Sequence, residues 1–218
     1  LLSGLFLMTR RVWPALSIQA AEHVTMPWHQ SIRQLAVFIQ ILMFMVYTGC
    51  ELAVGVWAFV LMTEGRGVSI VTAGFWVSAY WGGLTLARIL MGGLIHRLNH
   101  WRLLALSLGI SLLAAVIWAW NPHPTLGLLA VAFMGVGFGP IYPGLMSATR
   151  VRVGELHAAR TVSLQVGLAV IGAGVLSGLV GLVAEFLGVA SIPYVIAGLV
   201  ASMILLEALQ RRLAHSSH

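Results

Sequence analysis

Hydrophobic residues along this chain fall into six long, nearly uninterrupted runs separated by short polar segments. A helix needs roughly 20 consecutive apolar residues to cross the hydrocarbon core of a membrane, and each run reaches or approaches that length. The predicted spans are Leu35 to Met62, Val71 to Ile95, Leu103 to Trp120, Leu126 to Ser147, Val162 to Leu187 and Ile192 to Leu209. The pattern therefore predicts an all-α, polytopic membrane protein, built as a bundle of six transmembrane helices.

The overall composition agrees with a membrane environment. Hydrophobic residues make up 60% of the 218 positions and charged residues only 8%, and the mean hydropathy is +0.96. A soluble chain of this size cannot hide several such apolar runs from water at once. The lone cysteine, Cys50, lies inside the first run, so a disulfide within the chain is excluded.

The basic residues are distributed unevenly among the predicted connections. All twelve are Arg, and with six Glu they give a net charge of +6. Ten flank the spans on one side, Arg66 lies on the other side, and Arg88 lies within the second span, which accounts for all twelve. The positive-inside rule places the Arg-rich connections, and both ends of the chain, in the cytoplasm. This alternation indicates membrane topology and not a surface that binds nucleic acid.

The segments outside the six runs predict the domain organisation. Residues 1–8 are apolar and do not begin with Met, so we expect the end of a truncated upstream transmembrane helix. Residues 9–34 are predicted to form a cytoplasmic linker, residues 35–209 the six-helix transmembrane domain, and residues 210–218 a cytoplasmic tail. We expect an integral membrane protein of the bacterial inner (plasma) membrane.

Glycines and prolines predict close helix packing and one kinked span. Gly174 and Gly178 lie four residues apart in the fifth span, and the second span contains Gly82 and Gly83. Small residues of this kind let helix backbones approach closely in lipid. The fourth span contains three glycines and two prolines between positions 135 and 143. We therefore expect a kinked helix that lines a pathway.

Glu51 is the residue most indicative of function. It lies 16 residues after Leu35 in the first span, a distance of ~24 Å along a helix. An ionisable side chain at this depth costs at least ~2.5 kcal/mol unless it faces a partner or a wet cavity. We interpret Glu51 as a substrate hydrogen-bond acceptor or a proton-coupling carboxylate. The alternative is a structural carboxylate bonded to a hydroxyl or backbone group of a neighbouring helix.

Other polar and aromatic side chains are candidates for a substrate cavity. Tyr47 lies one helical turn before Glu51 and therefore shares its face. Tyr80 in the second span, Tyr142 in the fourth and Gln165 in the fifth are the remaining predicted substrate-binding residues. Aromatic rings with polar edges suit sugar or amphiphilic ligands. Interfacial or core packing is the alternative interpretation of the aromatic residues.

Arg88 is the second charged residue inside a predicted span. It lies two to three helical turns from the inner surface, so it snorkels to that surface, caps a carbonyl or acts as a gate. Glu207 and Arg211 form an i,i+4 pair in the last helix, a structural contact worth only ~0.3 kcal/mol. His96 and His100 lack accompanying Cys or carboxylate ligands, so no metal site is predicted. No enzymatic motif and no cofactor site is recognised.

The connection between the second and third spans carries a family motif. Gly92, Leu94 and Arg97 match the loop motif G-x-L-x-D-R-x-G-R-R of the major facilitator superfamily, and the sequence therefore resembles the C-terminal half of that superfamily. His96 replaces the acidic residue of the motif. The second glycine of the motif and its last two arginines are also replaced in this sequence. The resemblance implies a loop-motif role for Gly92, His96 and Arg97, with a weakened or absent charge-relay latch.

The segment from Gly49 to Arg88 further resembles the branch related to fucose:proton symporters. The matching stretches are Gly49-Cys-Glu51, Gly55-Val-Trp57, Arg66-Gly67, Ser78-Ala-Tyr80-Trp-Gly-Gly83 and Ala87-Arg88. The resemblance covers essentially the whole chain and implies that the six spans are helices 7 to 12, preceded by the central linker. It also implies a midplane substrate cavity between two halves and alternating access by rocking.

The leading functional hypothesis is a secondary active transporter that moves a small polar solute, such as a sugar, by ion-coupled alternating access. Two alternatives stay open: a non-transporting membrane scaffold or assembly factor on the same fold, and a half-size transporter that acts as a homodimer. The expected partners are the small-molecule substrate, membrane lipid, and either a missing N-terminal six-helix half or a second copy. Nucleic acid is not expected.

The predicted topology can be tested by cysteine labelling, because Cys50 is the only native cysteine to remove. In a Cys50→Ala background, Asn99→Cys should react with a membrane-impermeant maleimide only after the membrane is permeabilised, since Asn99 lies in an Arg-rich connection. Ser69→Cys, in the connection that contains Arg66, is the matched control and should react in intact cells. Reaction of Asn99→Cys in intact cells would reverse the predicted orientation.

Overall fold

The computed structural model describes residues 28–94 and 99–216 of the chain. The predicted upstream helix end (1–8) and the first part of the predicted linker lie outside the described residues, as do His96 and Arg97. The described part of the linker contains one short helix, α1 (Trp28–Ile32).

Long helices form nearly all of the described chain. After α1 come α2 (Leu35–Val60), a π-helical turn (Leu61–Gly65), α3 (Ile70–Leu94), α4 (His100–Trp120), α5 (Pro124–Phe138), α6 (Ile141–Val153), α7 (Glu155–Leu187), a 3-10 turn (Val189–Ser191) and α8 (Ile192–Ser216). Among the described residues, six segments are long and apolar enough to cross a membrane, and α5 and α6 together form the fourth. The predicted all-α bundle of six transmembrane helices is confirmed.

The last three membrane-crossing segments extend beyond their predicted ends. The fourth runs to Val153, the fifth begins at Glu155, and the last helix runs to Ser216. The three arginines between positions 150 and 160 therefore lie on α6 and α7 and not in a connection. Hydropathy falls at the first charged residue, but a helix continues where its charged side chains find partners or reach water. Only Gly154 separates α6 from α7, with a φ of +79° that glycine adopts without strain.

The connection between α4 and α5 is a tight turn. Asn121 ends α4 in the left-handed conformation, with φ of 46°, and its N–H donates to the carbonyl oxygen of Ile117. The ring of His123 accepts a hydrogen bond from the backbone N–H of Thr125, and Pro124 occupies the first turn of α5. Helices α4 and α5 pack along each other, whereas α7 packs chiefly against α2 and less against α8.

The fourth membrane-crossing segment is broken between α5 and α6, as its prolines predicted. Pro140 and Pro143 have no backbone N–H, so the carbonyl groups four residues earlier lose their usual helical partners. For Pro143 this carbonyl belongs to Gly139. A methyl group added at Gly139 would lie 2.6 Å from Cβ of Ala87 and 2.6 Å from the carbonyl oxygen of Leu84. Glycine therefore lets the break lie directly against α3.

Helix α2 is the central helix of the described bundle. It contacts α3, α6, α7 and α8, with the most extensive contact to α7. The packing is completed by contacts of α3 with α5, of α5 with α4 and of α4 with α8. Tyr47, Cys50 and Ala53 on α2 have no exposed surface. A charged residue on this helix must therefore find its partner inside the bundle.

Glycine sets the distance between α2 and α7, but at positions other than those predicted. A methyl group added at Gly49 would lie 2.6 Å from the carbonyl oxygen of Gly172. At Gly82, Gly174 and Gly178, an added methyl group would meet no atom of the described chain within 4 Å. The packing role predicted for these three glycines is therefore wrong within the described bundle, because their side of the helix does not face a neighbouring helix there.

The two kinds of glycine should respond oppositely to alanine. Gly49→Ala should destabilise the protein by about 1–3 kcal/mol, because the backbone of α7 must move away. Gly174→Ala is the matched control and should be neutral or stabilise by up to ~1 kcal/mol through its higher helix propensity. Thermal unfolding in detergent measures both. Equal stability of the two variants would contradict the close α2–α7 contact.

Candidate functional site

Three helices bring polar side chains to the wall of one cavity. Glu51 on α2, Arg88 on α3 and Tyr142 on α6 line a cavity of about 560 Å³. The other lining residues are Thr48, Leu52, Trp81, Pro143, Val166, Ala169, Val170 and Ala173. The part of the wall that α7 provides is entirely apolar. The groups that can exchange hydrogen bonds or charge with a ligand therefore lie on the opposite part of the wall.

Glu51 and Arg88 form an ion pair at this cavity. Nη2 of Arg88 lies 3.0 Å from Oε1 and 2.9 Å from Oε2 of Glu51. The Glu51 side chain is 14% exposed and the Arg88 side chain 38% exposed, so the pair can be reached from the cavity. Both charges stand out in the sequence, but their pairing does not, because the two residues are 37 positions apart. The available signal was that two opposite charges inside membrane spans each need a partner.

The break in the fourth membrane-crossing segment gives Arg88 further contacts. The carbonyl oxygen of Gly139, which Pro143 cannot satisfy, lies 3.4 Å from Nε of Arg88 and accepts its hydrogen bond. The guanidinium carbon lies 5.7 Å from the ring centroid of Tyr142, within the range of a cation–π interaction. Two elements of the break, a freed carbonyl and an aromatic ring, thus hold the arginine at the cavity.

Tyr47 and Tyr80 support Glu51 from inside the bundle and do not line the cavity. Both tyrosines are fully buried. The Tyr47 hydroxyl donates to Oε2 of Glu51 and lies 3.0 Å from the carbonyl oxygen of Phe138. The Tyr80 hydroxyl donates to the backbone carbonyl oxygen of Glu51 at 2.8 Å. Of the three tyrosines predicted to bind substrate, only Tyr142 reaches the cavity.

Comparison with protein families identifies the fold. A family model described as Major Facilitator Superfamily matches residues 10–215. The chain belongs to this superfamily. No curated protein and no solved structure matches it significantly. The chain is therefore an integral membrane protein of a transporter family, while the fucose:proton symporter branch and the assignment to the C-terminal half stay predictions.

Gln165 lies in a second polar cluster and does not line the cavity described above. Its side chain is fully buried, and its Oε1 accepts a hydrogen bond from the Thr149 hydroxyl at 3.0 Å. Gln40 donates to the same hydroxyl group at 3.2 Å and accepts a hydrogen bond from Nη1 of Arg152 at 3.0 Å. The cluster ties α2, α6 and α7 together, and Gln165 is not among the cavity-lining residues.

The ion pair between Arg152 and Glu207 is the centre of this second cluster. Nη2 of Arg152 lies 3.0 and 2.9 Å from the two carboxylate oxygens, and both side chains are almost completely buried. The predicted contact between Glu207 and Arg211 is present at 3.3 Å but is the longer of the two. The guanidinium carbon of Arg152 also lies 4.3 Å from the ring centroid of Trp101. The cluster therefore joins α6, α8 and α4 as a structural tie.

The residues of the superfamily loop motif are only partly described. Gly92 lies near the end of α3, whereas His96 and Arg97 lie outside the described residues. Within residues 28–94 and 99–216, His, Cys and Glu side chains form no group of three that could hold a metal ion. The Glu51–Arg88 pair is thus the charged group at the cavity wall on which the candidate site is centred.

Glu51 and Arg88 should behave as one unit in unfolding measurements. We expect Glu51→Gln with Arg88→Gln to cost less than the sum of the single changes, because each single change leaves an unpaired charge. A coupling energy of about 1–2 kcal/mol is expected, as for residues in direct contact. Thermal or chemical unfolding in lipid or detergent provides the double-mutant cycle.

The exposed pair of Arg150 and Glu155 is the matched control for this cycle. Exposed ion pairs contribute little, so their coupling energy should be about 0.5 kcal/mol or less. Equal coupling energies for the two pairs would show that Glu51 and Arg88 are solvated independently.

Proposed function

We propose that this chain forms part of a secondary active transporter that moves a small polar solute by alternating access, coupled to an ion. Its family supports membrane transport in general. The observation that supports the more specific function is the Glu51–Arg88 ion pair at the wall of the cavity. Ionisable residues at cavities inside membrane proteins are typical of substrate and ion pathways.

The contrast between the two ion pairs inside the bundle supports a functional role for Glu51 and Arg88. Arg152 and Glu207 are sealed within helix packing, so separating them would leave a buried charge without a partner. Glu51 and Arg88 line a cavity, so a solute or a proton can reach them and replace one interaction with another. A ligand shifts a conformational equilibrium only through different affinities for the two states. Exchange of partners at this pair provides such a difference.

The residues at the cavity and behind Glu51 have distinct roles in this proposal. Glu51 is the coupling carboxylate, Arg88 and Tyr142 contact the solute, and Tyr47 orients Glu51. The loop-motif residues at positions 92–97 act in gating. A sugar or similar metabolite is the proposed class of solute. The proposed partner is an N-terminal six-helix half or a second copy, in a bacterial inner membrane with the Arg-rich connections in the cytoplasm.

Solute accumulation should collapse when the carboxylate of Glu51 is removed. The full-length protein would be screened by thermal shift against sugars, nucleosides and organic acids, and the radiolabelled hit would be used for uptake into proteoliposomes. Glu51→Gln keeps the shape of the side chain but cannot change its charge. We expect uptake driven by a proton gradient to fall to background, while exchange of labelled for unlabelled solute persists.

Glu155→Gln is the matched control, because Glu155 is an exposed carboxylate distant from the cavity lining. This variant should accumulate the solute normally. Unchanged accumulation in Glu51→Gln would remove Glu51 from the coupling site. Absence of binding and flux for the whole panel would favour the non-transporting scaffold.

A further inference from the structure

Arg88 has hydrogen-bonding capacity that the described chain does not use. Its Nη2 contacts both carboxylate oxygens of Glu51 and, at 3.2 Å, the hydroxyl of Tyr47, while its Nε contacts the carbonyl oxygen of Gly139. Nη1, which carries two N–H groups, has no hydrogen-bond partner among the described residues. Since Arg88 lines the cavity, these donors are available to a ligand.

The positive member of the ion pair is the more accessible one. The Arg88 side chain is more exposed than the Glu51 side chain, and the Glu51 carboxylate already accepts hydrogen bonds from Arg88 and Tyr47. A solute in the cavity can therefore accept hydrogen bonds from the free Nη1 donors of Arg88. A cationic solute would be repelled there. A carboxylate fits this site, because its negative charge strengthens the hydrogen bond that it accepts from an N–H group of Nη1.

A carboxylate bound at Arg88 would place a second negative charge beside Glu51. Two carboxylates that share one site of low dielectric do not both stay ionised. Glu51 can resolve the conflict by taking one proton from solution, which leaves the guanidinium paired with one anion. A monoanion and a proton then occupy the cavity together and add no net charge.

The groups around Glu51 leave it as the proton acceptor. The titratable or charged side chains packed around it are Tyr47 and Cys50 on α2, Tyr80 and Arg88 on α3, and Tyr142 on α6. Phenols and thiols are neutral near pH 7, and an arginine stays protonated. Helix α7 contributes only apolar side chains to the cavity wall.

We infer that the cargo is a small organic carboxylate, which binds through Nη1 of Arg88 while Glu51 takes up one proton. This inference rests on the proposed transport function and narrows its solute to organic anions, sugar acids included. One anion and one proton cross together. When the anion leaves, the proton leaves Glu51 and the ion pair with Arg88 forms again.

Matched acids and amides test this inference. Lactate and lactamide, glucuronate and glucuronamide, and benzoate and benzamide differ within each pair only at the carboxylate. At least one acid should raise the Tm of the purified full-length protein more than its amide does. Calorimetric titration in two buffers of different ionisation enthalpy should show uptake of about one proton per acid bound, and none for the amide.

Two variants separate the roles of the ion pair. Arg88→Gln should abolish the difference between acid and amide. Glu51→Gln should keep that difference and lose the proton uptake, because the variant side chain carries no titratable carboxylate. Arg150→Gln, which removes an exposed arginine outside the cavity, is the control and should change neither result. If Arg88→Gln does not fold, proton uptake by the unmodified protein still decides.

The outcomes distinguish this inference from the proposed function. It is overturned if no acid binds better than its amide, or if acid binding takes up no proton. Flux of an amide or a neutral sugar that depends on Glu51 would overturn the carboxylate cargo and leave the proposed transport standing. Absence of binding and flux for acids, amides and sugars alike would count against both.

Discussion

An arginine or glutamate inside a membrane-crossing bundle needs a partner, because lipid supplies no water to solvate its charge. In the described part of the chain, Glu51 pairs with Arg88 and Arg152 with Glu207, while Arg66, in the connection before α3, donates to the carbonyl oxygen of Trp118. Arg66 precedes α3, and burial lowers the pKa of its guanidinium, which nevertheless stays protonated. These contacts join α2 to α3, α6 to α8, and the connection before α3 to α4. The charged contacts therefore lie between the helices that pack against each other.

The two ion pairs use the same chemistry in different surroundings. Arg152 and Glu207 are closed off from solvent and share further contacts with Gln40 and Trp101, so their pairing constrains how four helices meet. The cavity pair, in contrast, has one side open to the cavity, and the free N–H groups of Arg88 can be reached from there. Breaking a sealed pair costs stability, whereas breaking a cavity pair can be compensated by a ligand or a proton. For this reason we assign a structural role to the Arg152–Glu207 pair and propose a role in transport for the Glu51–Arg88 pair.

Backbone irregularity supports the cavity pair. Pro143 leaves the carbonyl group of Gly139 without a helical donor, and Arg88 supplies one. The absence of a side chain at Gly139 lets α3 approach closely enough for this contact. In a regular helix, the carbonyl groups of the fourth membrane-crossing segment would accept hydrogen bonds from their own helix. No carbonyl group would then be left as an acceptor for Arg88. The kink thus leaves a backbone carbonyl group free to hold the side chain of Arg88.

The sequence by itself determined the six helices, the break in the fourth and the place of Glu51 inside an apolar run, because hydrophobic run length, proline chemistry and a charge inside an apolar run are all local properties. It also placed Tyr47 on the face of Glu51, since four residues make about one helical turn. Only the tertiary structure decided that Glu51 pairs with Arg88, that Gln165 lies in the other polar cluster, and that Gly49 sets the α2–α7 distance. These facts depend on which helix faces share an interface, and residues far apart in the chain meet there only after the helices have packed.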